Sequence, residues 1–457
     1  MSIMNRVKGT GAYRSSHNLN LSRSMDKCWF FSECRVRIFD LMPVIGRAFG
    51  DNRVMHLEFT PWQRTAHGAN LLDSTGQPGV TIFEEITELA NRHKAINLGQ
   101  GFPDSEGPPE IKKIAIDAIQ NGANQYAPGS GTLNLREAIA AHQERFYSLI
   151  LDPESEVVVS TGATEAIAAS LLAFLEPGDE VVTFEPYYDS YAAMIGLTNA
   201  VHKVVQLKAP NFEPDLDDLR RAVTDQTRVI LVNNPHNPTG TVLDVSVLQE
   251  IIALAHQHNC IIIADEVYEH LTFGVRHVPI TSLPGGSERT ITISSAGKSF
   301  SFTGWKIGWA TGPRQLITTV RTVKQFLTYS SGPAFQPAVA QALQLPDAFF
   351  ERFAADLGQS GEILASGLET AGIPVIRPKG TYFLVADVRG FELNDAAEVA
   401  RMMPERLGVA AIPMSAFVHP ENRNDYQGLL RFAFCKKPDV ISDAVQRLQR
   451  LPEVFSN

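Results

Sequence analysis

Twenty residues, Ile291 to Ala310, read ITISSAGKSFSFTGWKIGWA and set one lysine, Lys298, behind Ser294, Ser295, Ala296 and Gly297 at the end of a β-branched run. Small neighbours clear the space around a single amine. An amine withdrawn from water gives up its proton more readily, and the neutral form attacks a carbonyl carbon to form a Schiff base. An isolated lysine in a loop is ordinarily a surface residue, so the chemistry depends on what other segments bring to it. The string CIIIADEVYEH places Asp265 directly after Cys, Ile and Ala residues, with Tyr268 three positions on. A carboxylate there needs a paired or liganded group to offset its burial, and a ring N–H is such a partner. VNNPHNPTG, Val232 to Gly240, sets Asn237 on a proline-stiffened turn, where its amide can donate to an oxygen. Gly162, Ala163 and Thr164 open a helix behind Thr161, and small residues at a helix start leave backbone N–H groups free for a phosphate. Tyr188, in EPYYD, can stack on a flat ring. Taken singly, these residues also read as an ordinary N-cap and a packed aromatic.

The elements that must position them follow from periodicity. Expected strands are Glu156 to Ser160, Glu180 to Phe184, Thr227 to Asn233, Cys260 to Asp265 and Thr290 to Ile293, separated by helices such as Ala163 to Leu175 and Ser246 to His258. Runs like VILVN and CIIIA are apolar on both faces, as in strands covered by helices on either side. The expected architecture is therefore α/β around a largely parallel sheet, where ligands bind beyond the carboxyl ends of the strands. After Pro346, a long amphipathic helix and the short strands Tyr382 to Ala386, Val409 to Ile412 and Leu429 to Phe434 point to a second α+β layer. The segment after Thr81 is expected to join it.

Composition narrows the function classes. The 457 residues carry a formal charge of −10, which argues against nucleic acid as a partner. The four cysteines, Cys28, Cys34, Cys260 and Cys435, are too scattered for a disulfide framework, which favours a reducing, cytoplasmic setting. No apolar run reaches the roughly 20 residues of a membrane-spanning helix, so no membrane association is expected. Residues 1 to 66 differ from the rest, with ten Lys and Arg against five Asp and Glu and no sustained period. They are expected to be a disordered extension or the product of a start assigned upstream of Met55.

Rival motifs fail on single positions. AGKS at 296 to 299 resembles the end of a nucleotide-binding P-loop, yet Thr292 stands where that loop needs glycine. Asp104 and Asn134 break the two partial G-x-G-x-x-G strings. His256, His258 and Cys260 are spaced i, i+2, so helix geometry turns them apart, and no metal is expected. A DNA-binding head would need a winged helix in the first 66 residues, whose pattern is absent.

Together the motifs resemble those of the fold-type I, aspartate-aminotransferase-like pyridoxal phosphate enzymes. Spacings of 28 residues from Asn237 to Asp265 and 33 from Asp265 to Lys298 are similar to the branch holding kynurenine, glutamine, methionine and N-succinyldiaminopimelate aminotransferases. TGATEAIAAS, ADEVYEH, ERTITISSA and GVAAIPMSAF look closest to actinobacterial members of the last type. The resemblance covers about residues 80 to 450 and implies a large cofactor domain over 114–345 and a smaller one over 67–113 and 346–457. It implies that Lys298 holds pyridoxal 5′-phosphate covalently and then carries the proton from the substrate, and that Asp265 keeps the pyridine nitrogen protonated. Tyr268 and Asn237 would donate to the phenolic oxygen, and Tyr188 would stack on the ring. The phosphate would be held by Gly162, Ala163, Thr164, Ser295 and Lys306. Tyr126, in NQYAPGSG, would reach the phosphate of a neighbouring subunit, implying a homodimer with a shared site. Arg431, in LLRFAFCK, and Gly101, in LGQGFPD, would hold the substrate carboxylate, with Asn237 beside it. The implied reaction moves an amino group between an L-amino acid and a 2-oxo acid. N-succinyl-LL-2,6-diaminopimelate with 2-oxoglutarate is the expected pair, with kynurenine, glutamine, methionine or aromatic amino acids, or β-elimination from cysteine conjugates, as alternatives. Phe83 reads equally as a wall of the substrate pocket or as core.

Overall fold

The computed structural model describes residues 60–73, 75–391 and 395–455. Its largest sheet has eight strands: β2 (Val157–Ser160), β3 (Glu180–Glu185), β4 (Val201–Lys208), β5 (Glu213–Pro214), β6 (Thr227–Asn233), β7 (Ile261–Asp265), β8 (Thr290–Ser295) and β9 (Gly308–Thr311), numbered after β1 (Ile96–Asn97). They lie in the order β2-β9-β8-β7-β6-β3-β4-β5. The run from β8 to β4 is parallel throughout, while β9 and β5 pair antiparallel with their neighbours.

Period-two burial explains why these strands need cover on both faces. Val229 and Leu231 of β6 enter one apolar cluster with Ile263, Ile291 and Ile293, whereas Ile230 and Val232 enter another with Ile262 and Ala264. Helix Gly162–Phe174 seals the first face with Ala166, Ile167 and Leu171. Helix Val245–Gln257 seals the second with Leu248, Ile251, Ile252 and Ala255. The parallel strands thereby share one carboxyl edge, where Asn233, Asp265 and Ser295 all end.

A second, four-stranded sheet orders β10 (Val375–Ile376), β11 (Phe383–Asp387), β14 (Leu429–Ala433) and β13 (Ile412–Pro413), all antiparallel. The expected strand Val409 to Ile412 is split, because β12 (Val409–Ala410) pairs instead with β1. Three strands of the large sheet were not legible, and one of them, β5, is only two residues. β4 reads VHKVVQLK and is half-exposed along most of its length, and β9 is only GWAT.

The first 66 residues need one correction. Residues 60–66 were expected to lack packed structure, but Pro61–Gly68 is a helix with a capping box between Thr60 and Gln63. It packs through small residues rather than an apolar stripe. A Cβ on Gly68 would stand 2.3 Å from the Ala192 carbonyl oxygen, and one on Gly196 would stand 2.5 Å from that of Arg64. Backbone-to-backbone approach of this kind leaves no hydrophobic period to read. Expectations for residues 1–59, Met55 included, lie outside the described residues.

Candidate active site

Lys298 sits in a single helical turn, Ala296–Ser299, at the end of β8. Gly297 permits this, since a Cβ there would come within 3.1 Å of the Thr303 backbone. The Lys298 Nζ donates to Tyr382 Oη at 2.8 Å, and Tyr382 Oη donates on to the Gly101 carbonyl at 2.6 Å. Burial brings the amine down to about 8, within reach of both protonation states near neutral pH. Asp265, at the end of β7, is 4% exposed, and burial pushes its carboxyl up to about 6. Tyr191 Oη donates to it and opposes that rise, and the Val267 N–H also points to it. The carboxylate thus lies in a dry site with neutral donors, a setting that favours a cationic partner.

Both groups line a cavity of about 210 Å³ together with Tyr188, Asn237 and Tyr268. Gly162, Ala163, Thr164, Ser295 and Lys306 line it as well. Gly162 has φ +74°, a backbone conformation that favours glycine, and a Cβ on it would stand 3.1 Å from Lys306 Nζ, so the lysine amine reaches the helix start closely. A Cβ on Gly308 of β9 would press within 2.6 Å of the Ala163 nitrogen. A helix N-terminus and a lysine amine together make an anion cradle.

Arg431, on β14, approaches from the smaller sheet. Nη1 donates to Asn237 Oδ1 at 3.0 Å and Nη2 to the Gly99 carbonyl at 2.8 Å, while Nε has no partner. Its guanidinium carbon lies 4.1 Å from the Phe383 ring centre and 4.6 Å from that of Phe417. The side chain is 3% exposed, and burial lowers its pKa to about 10. A buried cation without a carboxylate partner among the described residues is a receptor for an incoming one.

Comparison with known proteins is decisive on the family. Residues 93–448 match the family model described as aminotransferase class I and II. The chain belongs to that family. It is 48% identical over 383 residues to the probable N-succinyldiaminopimelate aminotransferase DapC of Mycobacterium tuberculosis, covering 82% of this chain and 96% of that one. It is 37% identical to the methionine aminotransferase of Escherichia coli, covering 82% and 97%. The solved N-succinyldiaminopimelate aminotransferase from Mycobacterium tuberculosis superposes with a TM-score of 0.79 at 49% identity, covering 81% and 97%. The fold is therefore fold type I, and the cofactor of this class I and II aminotransferase is pyridoxal 5′-phosphate. The cavity fits that group: an anion cradle, an aromatic wall, a buried carboxylate seeking a cation, and a desolvated amine.

Two tyrosines of this aminotransferase escaped the sequence reading. Tyr191 lies one helical turn beyond Tyr188, with ring centres 5.5 Å apart, and that i, i+3 relation was the available signal. Tyr382 lies 84 residues from Lys298, a separation that no local pattern spans. Asn233 was also missed; it accepts from the Asn237 N–H at 2.7 Å and so holds the NNPHNPTG turn in place. Tyr126 is 83% exposed, lies against Tyr329 and does not line the cavity of its own chain. Gly101 is engaged by Tyr382, while the neighbouring Gly99 meets Arg431. His256, His258 and Cys260 diverge to Gly285, Asp225 and Thr227. Among the described residues no helix is long and apolar enough to cross a membrane. Tyr191→Phe is expected to lower kcat about tenfold, the scale of one hydrogen bond to a charged group, with little change in KM. Steady-state kinetics test this, and an unaltered kcat would reduce the contact to a structural one.

Proposed function

We propose that this aminotransferase exchanges an amino group between N-succinyl-LL-2,6-diaminopimelate and 2-oxoglutarate, by a ping-pong cycle in lysine biosynthesis. The carrying observation is the greater identity to the probable N-succinyldiaminopimelate aminotransferase than to the methionine enzyme, over nearly the whole length of both. A cytoplasmic homodimer is part of the proposal. The exposure of Tyr126, away from its own cavity, supports a site completed across two subunits. So is the division into a cofactor domain over 114–345 and a smaller domain over 67–113 and 346–457.

Pyridoxal phosphate, when bound, supplies an aldehyde carbon and an electron-accepting ring. Gly162, Ala163, Thr164, Ser295 and Lys306 hold its phosphate, and Tyr188 flanks the ring. Asp265 fixes a proton at the ring nitrogen, and Tyr191 keeps that carboxylate aimed. Tyr268 and Asn237 orient the phenolic oxygen. Arg431 clamps the α-carboxylate of the amino acid, and Lys298 Nζ moves the proton on and off the substrate carbon, with Tyr382 Oη steadying it.

A screen of purified enzyme against succinylated diaminopimelate, methionine, kynurenine and glutamine, each with 2-oxoglutarate, tests the substrate. The highest kcat/KM is expected for the succinylated diacid. A higher value for methionine would move the assignment to the methionine branch. For Arg431→Ala, KM is expected to rise about 100-fold for every amino donor, since truncating a buried charge partner costs about 2–5 kcal/mol. Unchanged KM across donors would mean the carboxylate is held elsewhere.

A further inference from the structure

Tyr188 lines two cavities, the one containing Lys298 and a second of about 600 Å³. Phe83 lines the second and ties it to the carboxylate clamp, because the Arg431 guanidinium carbon stands 5.7 Å from the Phe83 ring centre. Two further arginines, Arg401 and Arg423, also line this second cavity. They are not equivalent. Glu85 grips Arg401 through contacts of 2.7 and 3.2 Å, so a resident carboxylate already answers that charge. Arg423 has no such partner among the described residues. The acids beside it in sequence are committed elsewhere, Glu421 to His419 and Asp425 to Gln206. Asp189, which also lines this cavity, is half-buried, and burial raises its carboxyl pKa.

We propose that Arg423 receives the terminal carboxylate at the far end of a long acyl arm on the amino donor, while Arg431 holds the α-carboxylate. The inference rests on the substrate reading above and names the residue that would enforce it. A succinylated diacid carries an anion far from its reacting amine, and the guanidinium fork suits that anion at a partly open rim. Methionine has nothing to place there, so Arg423 stays hydrated and contributes no affinity. The selectivity arises from this difference.

The test uses holoenzyme and two amino donors, Nε-succinyl-lysine and Nε-butyryl-lysine, which differ only in a terminal carboxylate against a methyl. They are compared by kcat/KM, or by competitive inhibition where they are not turned over. Wild type is expected to prefer the succinyl compound. Arg423→Gln should cut the succinyl-to-butyryl ratio by about tenfold, and Arg423→Glu should cut it further. Because Arg423 is exposed, both variants are expected to fold. No preference in wild type, or an unchanged ratio in Arg423→Gln, overturns the inference. If wild type fails to use succinylated diaminopimelate while the ratio still falls in the variant, the substrate reading fails and the carboxylate subsite stands.

Discussion

Lys298→Ala is expected to lower kcat by about 10⁴-fold, the upper scale of a positioned general acid–base group, while cofactor is still retained. The two effects separate because the anion cradle is built from Gly162, Ala163, Thr164, Ser295 and Lys306, none of which depends on the Lys298 side chain. Tyr188 and Asp265, proposed to meet the cofactor ring at its face and its nitrogen, stand at or just beyond the ends of two other strands, β3 and β7. What the variant loses is an amine with a pKa of about 8 that burial keeps poised between its two forms. Removing it also leaves Tyr382 Oη without the donor at 2.8 Å, although Tyr382 keeps the Gly101 carbonyl and so stays in place. A small primary amine added to the assay should therefore restore part of the rate, by carrying the proton in the space the side chain vacated. Steady-state turnover, cofactor stoichiometry after dialysis and the amine titration read the three consequences. Wild-type turnover in Lys298→Ala would remove the residue from the mechanism.

How much of this was readable from sequence depended on whether the signal was local. Asp265 ends one β-branched strand and Lys298 follows the end of the next, and the type of those strands required a carboxyl edge where both would meet. The cradle was equally local, a run of small residues at a helix start. Arg431 could be placed only through resemblance, because its strand belongs to the second sheet and its distance from Asn237 in sequence is 194 residues. Tyr382 and Arg423 come from the same distant region, and no periodicity carries side-chain direction across that gap. Strands toward the ends of the large sheet were also obscure for a physical reason: β4 is half-solvated, β9 is only GWAT and the edge strand β5 is two residues, so none shows the two-faced apolar run that marks a central strand. The helix Pro61–Gly68 shows the complementary failure, a contact made by glycine backbones that hydrophobic patterning does not record.

Asp265→Asn should cost about 10³-fold in kcat, the upper scale for losing one preorganised electrostatic partner, and leave KM for the amino donor little altered. The substitution keeps the shape: the Val267 N–H donates to Oδ1, which becomes the amide oxygen, and Tyr191 Oη, which donated to Oδ2, turns to accept from the amide NH₂. It removes the charge and reverses one hydrogen bond. Without that charge nothing in the cavity favours a proton on the ring nitrogen, and the electrons released at the substrate carbon lose their sink. A pH measurement isolates the same charge. Burial raises the empty-site carboxyl to about 6, so it becomes neutral as pH falls through that value and its attraction for a cationic ring weakens. Wild-type cofactor affinity should decline below about pH 6. The cofactor phosphate titrates in the same range, with a second pKa of about 6, so the wild-type profile alone mixes two groups. In Asp265→Asn the phosphate component remains and the carboxylate component disappears, leaving a shallower decline. Matching slopes in the two proteins would show that Asp265 carries no charge of consequence to the cofactor, and a near-normal kcat would assign the ring nitrogen to another residue.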